Sequence, residues 1–236
     1  DREAYPVLLQ QFLGAKYQVE NFGKSGATLL ARGHRPYFQQ EEYHRALAFR
    51  PHIAVIHLGV NDTDPRNWPN YRDDFIPDYR HLIDTLRSIS PRVRILIART
   101  TPIGVEHPRF ESGTRDWQIQ IQQAIEQVAE TAGVELIDFH SPLYPFPHYF
   151  PDAVHPTAPG TRILAETAYR AISGNYGGLQ LPSIYSDGMV LQRERPLTLR
   201  GTADAGEEVT LSFRGWRGRA KTSRLGEGTI TLPAQS

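Results

Sequence analysis

His52-Ile53-Ala54-Val55-Ile56-His57-Leu58-Gly59-Val60-Asn61-Asp62 is an apolar, β-branched run that stops at a glycine and gives way to polar residues. A short continuous run of this kind reads as a strand buried on both faces, the habit of a parallel sheet covered by helices. The flanking sequence repeats the pattern. Tyr17-Gln18-Val19-Glu20-Asn21-Phe22 ends at Gly23, and Val93-Arg94-Ile95-Leu96-Ile97-Ala98 and Val134-Glu135-Leu136-Ile137-Asp138 are further strand candidates. Between them, 73–89 places Phe75, Ile76, Tyr79, Leu82, Ile83 and Leu86 on one helical stripe. The stretch 115–132 does the same through Ile119, Ile121, Ile125 and Val128 and ends at Gly133, the position of a helix-stopping glycine. Segments 5–13 and 162–172 read as flanking helices. Strands alternating with helices on this spacing predict a parallel sheet with helices on both faces.

The texture changes after Ser173-Gly174-Asn175-Tyr176-Gly177-Gly178. The reading is a first domain over 1–173, a linker over 174–178 and an all-β module over 179–236. In that module, 189–192, 197–202, 208–213 and 229–232 are short alternating segments broken by Gly, Pro and Asp, as in a partial β-sandwich.

Composition excludes several function classes. Twenty-six basic residues balance twenty-six acidic ones, so no charge excess points to nucleic acid or an anionic membrane. No apolar run reaches the length of a membrane span. The absence of cysteine excludes disulfides and thiolate chemistry. The chain starts Asp1-Arg2-Glu3, which reads as a start altered by processing or truncation. The compartment stays open, secretion and a periplasmic location being among the alternatives, and no pattern bears on oligomeric state.

Ligands of parallel sheets bind beyond the carboxyl ends of the strands. Three polar clusters fall there: Asn21-Phe22-Gly23-Lys24-Ser25-Gly26, Gly59-Val60-Asn61-Asp62, and Pro151-Asp152-Ala153-Val154-His155-Pro156. An Asp three residues before a His can reach Nδ1 of that ring, fix its tautomer and leave Nε2 to take a proton from a nucleophile. Gly26 can bring a backbone N–H close to a substrate oxygen, and Asn61 offers an amide donor on a short turn. One backbone donor plus one amide donor makes a competent oxyanion hole.

Taken in this order, Asn-x-Gly-x-Ser-Gly, Gly-x-Asn-Asp and Asp-x-x-His-Pro resemble the blocks of the SGNH (GDSL-type) hydrolase superfamily over roughly residues 1–173. The resemblance implies a flavodoxin-like three-layer α/β/α domain with sheet order 2-1-3-4-5. It also implies a cofactor-free serine esterase with Asp152 and His155 catalytic and Gly26 and Asn61 in the oxyanion hole. The Gly-Asp-Ser nucleophile block of that family has no counterpart in the chain. The expectation is that it lies, with the central strand that carries it, in a segment upstream of residue 1.

Leu181-Pro182-Ser183-Ile184-Tyr185-Ser186-Asp187-Gly188-Met189-Val190-Leu191-Gln192-Arg193, followed by Gly201-Thr202-Ala203-Asp204-Ala205-Gly206-Glu207, is similar to the β region of sialate O-acetylesterase-like proteins. That similarity, over 179–213, implies acetylated carbohydrate as the substrate class. A lysophospholipase or arylesterase acting on small esters, and a catalytically silent carbohydrate-binding scaffold, are the alternatives.

Plainer readings stand beside these. Ser25 is expected to be a turn hydroxyl bonding local backbone rather than the nucleophile, and Ser186 to sit in an Asp-Gly turn. Asp62 is expected to organise its turn. His52 and His57 bracket a strand and read as satisfied structural histidines. His140, His148 and His155 match no metal-ligand spacing, so no metal is assigned. Trp68, Tyr71, Tyr144, Phe146 and Tyr149 could stack on sugar rings, although aromatic and Pro-rich loops such as 142–151 more often form rigid cover.

Overall fold

A computed structural model describes residues 4–104 and 114–234. The chain divides into two compact units, Asp1–Thr167 and Ala168–Ser236. In the first unit, α1 (Tyr5–Leu13) opens with proline in its first turn, where no intrahelical N–H is needed, and stops at Gly14 with φ 67°. α2 (Glu41–Phe49), which the apolar pattern did not reveal, starts with two glutamates at the positive end of its dipole. β1 (Ile53–Ile56), the short α3 (Trp68–Tyr71) and α4 (Phe75–Ile89) follow. Then come β2 (Arg94–Arg99), α5 (Thr114–Ala132), β3 (Glu135–Asp138) and α6 (Ala158–Ser173), which runs across the boundary between the units.

The three strands form a parallel sheet in the order β1-β2-β3, Ile53 pairing with Arg94 and Leu96 with Glu135. Phe75, Tyr79 and Ile83 of α4 and Ile121, Ile125 and Val128 of α5 meet Ile95 and Ile97 of β2 in one buried cluster. Leu96, which alternation turns to the opposite face, is fully buried as well. Burial on both faces is therefore a property of the middle strand. β1, expected to share it, is half-buried along Ile53, Ala54 and Val55, and among the described residues it has one neighbouring strand, β2.

The strand expected over 17–22 is corrected. The segment starts extended, Tyr17 having φ −119° and ψ 147°, but it joins no sheet. A side chain takes the place of a neighbouring strand: Val19 N–H donates to Gln10 Oε1 at 2.7 Å, and Gln10 Nε2 donates to Tyr17 O at 3.0 Å. Tyr37 Oη donates to Phe22 O at 2.9 Å and holds the far end.

The second unit contains β4 (Leu197–Thr202), β5 (Glu208–Phe213), β6 (Trp216–Lys221) and β7 (Glu227–Leu232). β4 pairs antiparallel with β7, and β5 with β6, giving two separate two-stranded sheets. The expected strand over 189–192 is absent. Met189 closes a turn onto Ser186 O, with Gly188 at φ 80°, and Val190 is almost fully exposed. Residues 174–178 are drawn onto Asp204, whose Oδ1 accepts the N–H groups of Tyr176 at 2.7 Å and Gly178 at 3.2 Å. No helix among the described residues is long and apolar enough to cross a membrane.

Candidate active site

Parallel pairing puts the carboxyl ends of all three strands on one edge of the sheet, and the loops after β1 and β3 carry two of the three polar clusters, 59–62 and 151–156, while 21–26 follows the segment that joins no sheet. After β1 the chain turns at Gly59, whose φ of 121° suits only glycine. A Cβ there would also press on Ile121 and Thr100 at 3.1 and 3.2 Å. Asp62 N–H to Gly59 O and Asp64 N–H to Asn61 O then close a short 3₁₀ turn that lifts Asn61 and Asp62 off the strand end.

The Gly26 turn lies against this one. Ala27 N–H donates to Lys24 O at 3.1 Å, closing a four-residue turn with Gly26 third and at φ 75°, the glycine position of such turns. Asn61 Nδ2 donates to Ala27 O at 2.9 Å, so the structure brings the two expected oxyanion donors into one bonded assembly. That bond uses one of the two amide hydrogens of Asn61. The Gly26 N–H makes no hydrogen bond among the described residues. Asn67, fully buried and unmarked by any sequence signal, donates from Nδ2 to Asn61 O at 2.9 Å and accepts His34 N–H at 2.9 Å.

Asp62 reaches further than its expected role in a local turn. Its Oδ2 accepts Leu29 N–H at 2.9 Å and its Oδ1 accepts Leu30 N–H at 2.8 Å. Burial pushes the carboxyl up to about 6, against the lowering effect of these backbone donors. Ala31 N–H donates to Asp78 Oδ2 at 2.7 Å, so three successive backbone donors end on carboxylates.

Beyond β3, Asp152 and His155 form the expected pair. His155 Nδ1 and Asp152 Oδ2 are 2.6 Å apart, and Asp152 Oδ1 accepts the N–H groups of His155 at 2.7 Å and Val154 at 3.0 Å. Partial burial raises the Asp152 carboxyl, but the donors from His155 and Val154 outweigh it and hold the group at about 2, well below the usual range. The imidazole side chain is 73% exposed, and its Nε2 makes no hydrogen bond among the described residues. No serine hydroxyl bonds it there. Among the described residues Ser25 Oγ makes no hydrogen bond to local backbone, unlike the expected turn hydroxyl.

The turn carrying this pair is wound tightly. Ala153 adopts φ 67°, a conformation L-residues avoid, and is held by Ala153 N–H to Phe150 O at 2.9 Å and by Gly104 N–H to Ala153 O at 2.7 Å. The preceding loop is equally braced: Phe146 and Tyr149 stack at 5.1 Å, Tyr144 stacks on His140 at 5.6 Å, and Thr157 N–H donates to Tyr149 O at 2.7 Å. The reading of His52 and His57 as satisfied is corrected. His52 is exposed, and His57 Nε2 is buried without a partner among the described residues, its ring set edge-on to Phe139 at 5.1 Å; burial lowers it to about 4.

The model of the GDSL-like Lipase/Acylhydrolase family matches residues 1–163. An acetylxylan esterase of Xylanibacter ruminicola is 32% identical over 184 residues, which are 71% of this chain and 38% of that protein, so the chain spans well under half of its relative. Among solved structures, the acetyl xylan esterase AlAXEase superposes with a TM-score of 0.57 at 19% identity, over 73% of this chain and 92% of that one. The acetylxylan esterase Axe2 of Geobacillus stearothermophilus does so with a TM-score of 0.55 at 21% identity, over 71% and 80%. At these identities the likeness is one of fold.

Proposed function

The chain belongs to the GDSL-like lipase/acylhydrolase family, and from that membership we propose that it is the base-and-oxyanion part of a serine-type carbohydrate O-acetylesterase. The observation that carries the reading is the state of His155: Nδ1 is held by an ionised carboxylate at 2.6 Å while Nε2 makes no hydrogen bond among the described residues. A ring fixed in that way is set to accept a proton at Nε2 and to return it. In the proposed reaction a serine hydroxyl from outside the described residues adds to the acetyl carbonyl as its proton passes to His155. Gly26 N–H and the second Asn61 amide hydrogen stabilise the oxyanion. His155 then protonates the departing sugar oxygen, and water releases acetate by the same path in reverse.

The substrate class is supported by the acetylxylan esterase relative and by the resemblance of 179–213 to sialate O-acetylesterase-like proteins. The test is acetate release by the full-length protein from acetylated xylan, an aryl acetate and a lysophospholipid. Preference for the acetylated polysaccharide is expected, and His155→Ala should lower turnover by about three or more orders of magnitude. Turnover near wild type in that variant rejects the assignment of His155.

A further inference from the structure

Asp62, outside the proposed chemistry, carries a fully buried carboxylate. Its bonds run directly into the backbone that presents Gly26. We infer that Asp62 is a positioning residue: by clamping Leu29 and Leu30 it sets where the Gly26 N–H stands relative to the Asn61 amide. The inference rests on the oxyanion role proposed above for Gly26 and Asn61.

The geometry supports this in three steps. Asn61 and Asp62 are adjacent, yet they grip the same distant loop at two points, Ala27 O by the amide and Leu29 and Leu30 N–H by the carboxylate. The segment between those points cannot yield, since Ala27, Thr28, Leu29 and Leu30 are all buried. The Gly26 peptide leads directly into Ala27. A shift of the clamp therefore moves the Gly26 donor while leaving Asn61 on its own turn, which changes the spacing of the oxyanion hole rather than its composition. Misplacement by a fraction of an ångström matters there, because the donors must meet the oxyanion at hydrogen-bond distance.

The clamp also depends on charge. An ionised carboxylate accepts both N–H groups; a protonated one carries a hydroxyl that faces one of those donors and cannot serve both equally. The titratable groups facing Asp62 among the described residues are Asp78 and Tyr79, both on α4. Asp78 is already engaged by Ala31 N–H, and its charge raises the Asp62 carboxyl. The Gly26 donor should thus be in register above the Asp62 midpoint and drift below it. An Asp62→Asn amide would mimic the low-pH state permanently, because its NH₂ group opposes one of the two backbone donors.

The test is amide NMR of the protein from about pH 4 to about pH 8, with Asp62→Asn as control. The Leu29 and Leu30 amides should titrate with a midpoint near about 6, and the Gly26 amide should move with that same midpoint. In Asp62→Asn that shared transition should vanish while transitions arising from histidines persist. In turnover of an acetyl ester, Asp62→Asn should lower kcat by about 10- to 100-fold with KM changed less than about twofold. A Gly26 amide that stays still while Leu29 and Leu30 titrate overturns the inference, as does a loss confined to KM. If the protein hydrolyses no ester, the proposed function fails, and the Gly26 titration still decides the positional claim. If Asp62→Asn does not fold, the wild-type titration decides it alone.

Discussion

Replacing Gly104 by alanine should displace the Asp152–His155 turn without touching either residue. Gly104 does not occupy the left-handed region, so alanine meets no backbone penalty there and the effect is purely steric. The added methyl would lie 2.7 Å from Ala153 Cβ and 3.0 Å from Ala153 Cα, where ordinary contact begins at 3.4 Å. Relief requires a movement of about 0.7 Å by one backbone or the other. Neither can rotate a side chain away, and the two are joined by Gly104 N–H to Ala153 O at 2.7 Å. With His155 as the base proposed above, a displacement approaching 1 Å costs on the order of 100-fold, so kcat should fall by about 30- to 100-fold. Overpacking of this kind should also destabilise the fold by about 1–3 kcal/mol.

The assay pairs acetate release with thermal unfolding for Gly104→Ala, Ala153→Gly and the double variant. Ala153→Gly removes the opposing methyl and relieves a φ of 67°, worth about 1 kcal/mol, while increasing the entropy of the unfolded chain by a similar amount. Alone it should be near neutral. In the double variant the shortest clash disappears, and at least about tenfold of the lost turnover should return, a coupling expected only for residues in contact. Wild-type turnover in Gly104→Ala, or no rescue by Ala153→Gly, would refute the idea that this contact sets the position of His155.

Two further outcomes follow from buried and ionised groups. Tyr79 is fully buried and its hydroxyl has no partner among the described residues, so Tyr79→Phe should leave stability unchanged or raise it by up to about 1 kcal/mol in urea denaturation; a larger loss would mean the hydroxyl is satisfied in solution. Asp152 and Asp62 should tilt the pH dependence of stability in opposite senses. The Asp152 carboxyl is held at about 2, below its ordinary 3.8, so its contribution is present above about pH 4 and lost as pH falls through about 2; half-exposed as it is, screening keeps that contribution below about 1 kcal/mol. Asp62 is raised to about 6, so the native state binds its proton more tightly and stability declines as pH rises from about 4 through about 6. Unfolding free energies measured against pH should show the second slope flattened in Asp62→Asn and the first flattened in Asp152→Asn. Unchanged slopes would remove these carboxylates from the balance.

The long helices were legible because each carried a periodic apolar stripe, as Phe75, Tyr79 and Ile83 do on α4, and the strands of the sheet because each was a short continuous apolar run. β6 was not, because its inward positions are Trp216, Gly218 and Ala220, and small residues set between Arg217, Arg219 and Lys221 leave no apolar alternation. The run around Met189-Val190-Leu191 misled for the opposite reason: local apolarity suggested a strand where the residues are exposed. The segment 17–22 has strand-like composition, but a strand exists only with a neighbour, and here the Gln10 side chain serves instead. Within the site, Asp152 and His155 could be read from their spacing, since both ends of the bond lie within one turn. The clamp from Asp62 to Leu29 spans 33 residues, and no pattern within either segment announces it. Nothing in Asp-Ala-Val-His marks Ala153 as left-handed, because the residue that would have signalled it, glycine, is absent.

The ties from Asn61, Asp62 and Asn67 to Ala27, Leu29, Leu30 and His34 also make two distant stretches of the gene a single part. Neither stretch is portable alone. A chimera that imports 59–67 from another enzyme while retaining its own 24–36 would leave the loop N–H groups of Leu29, Leu30 and His34 without the side-chain acceptors that now meet them, and the reverse exchange would strand the loop. Recombination and loop grafting on this scaffold therefore have a natural unit of exchange. That unit is discontinuous in sequence, and crossover points placed between the two stretches should be the ones that fail.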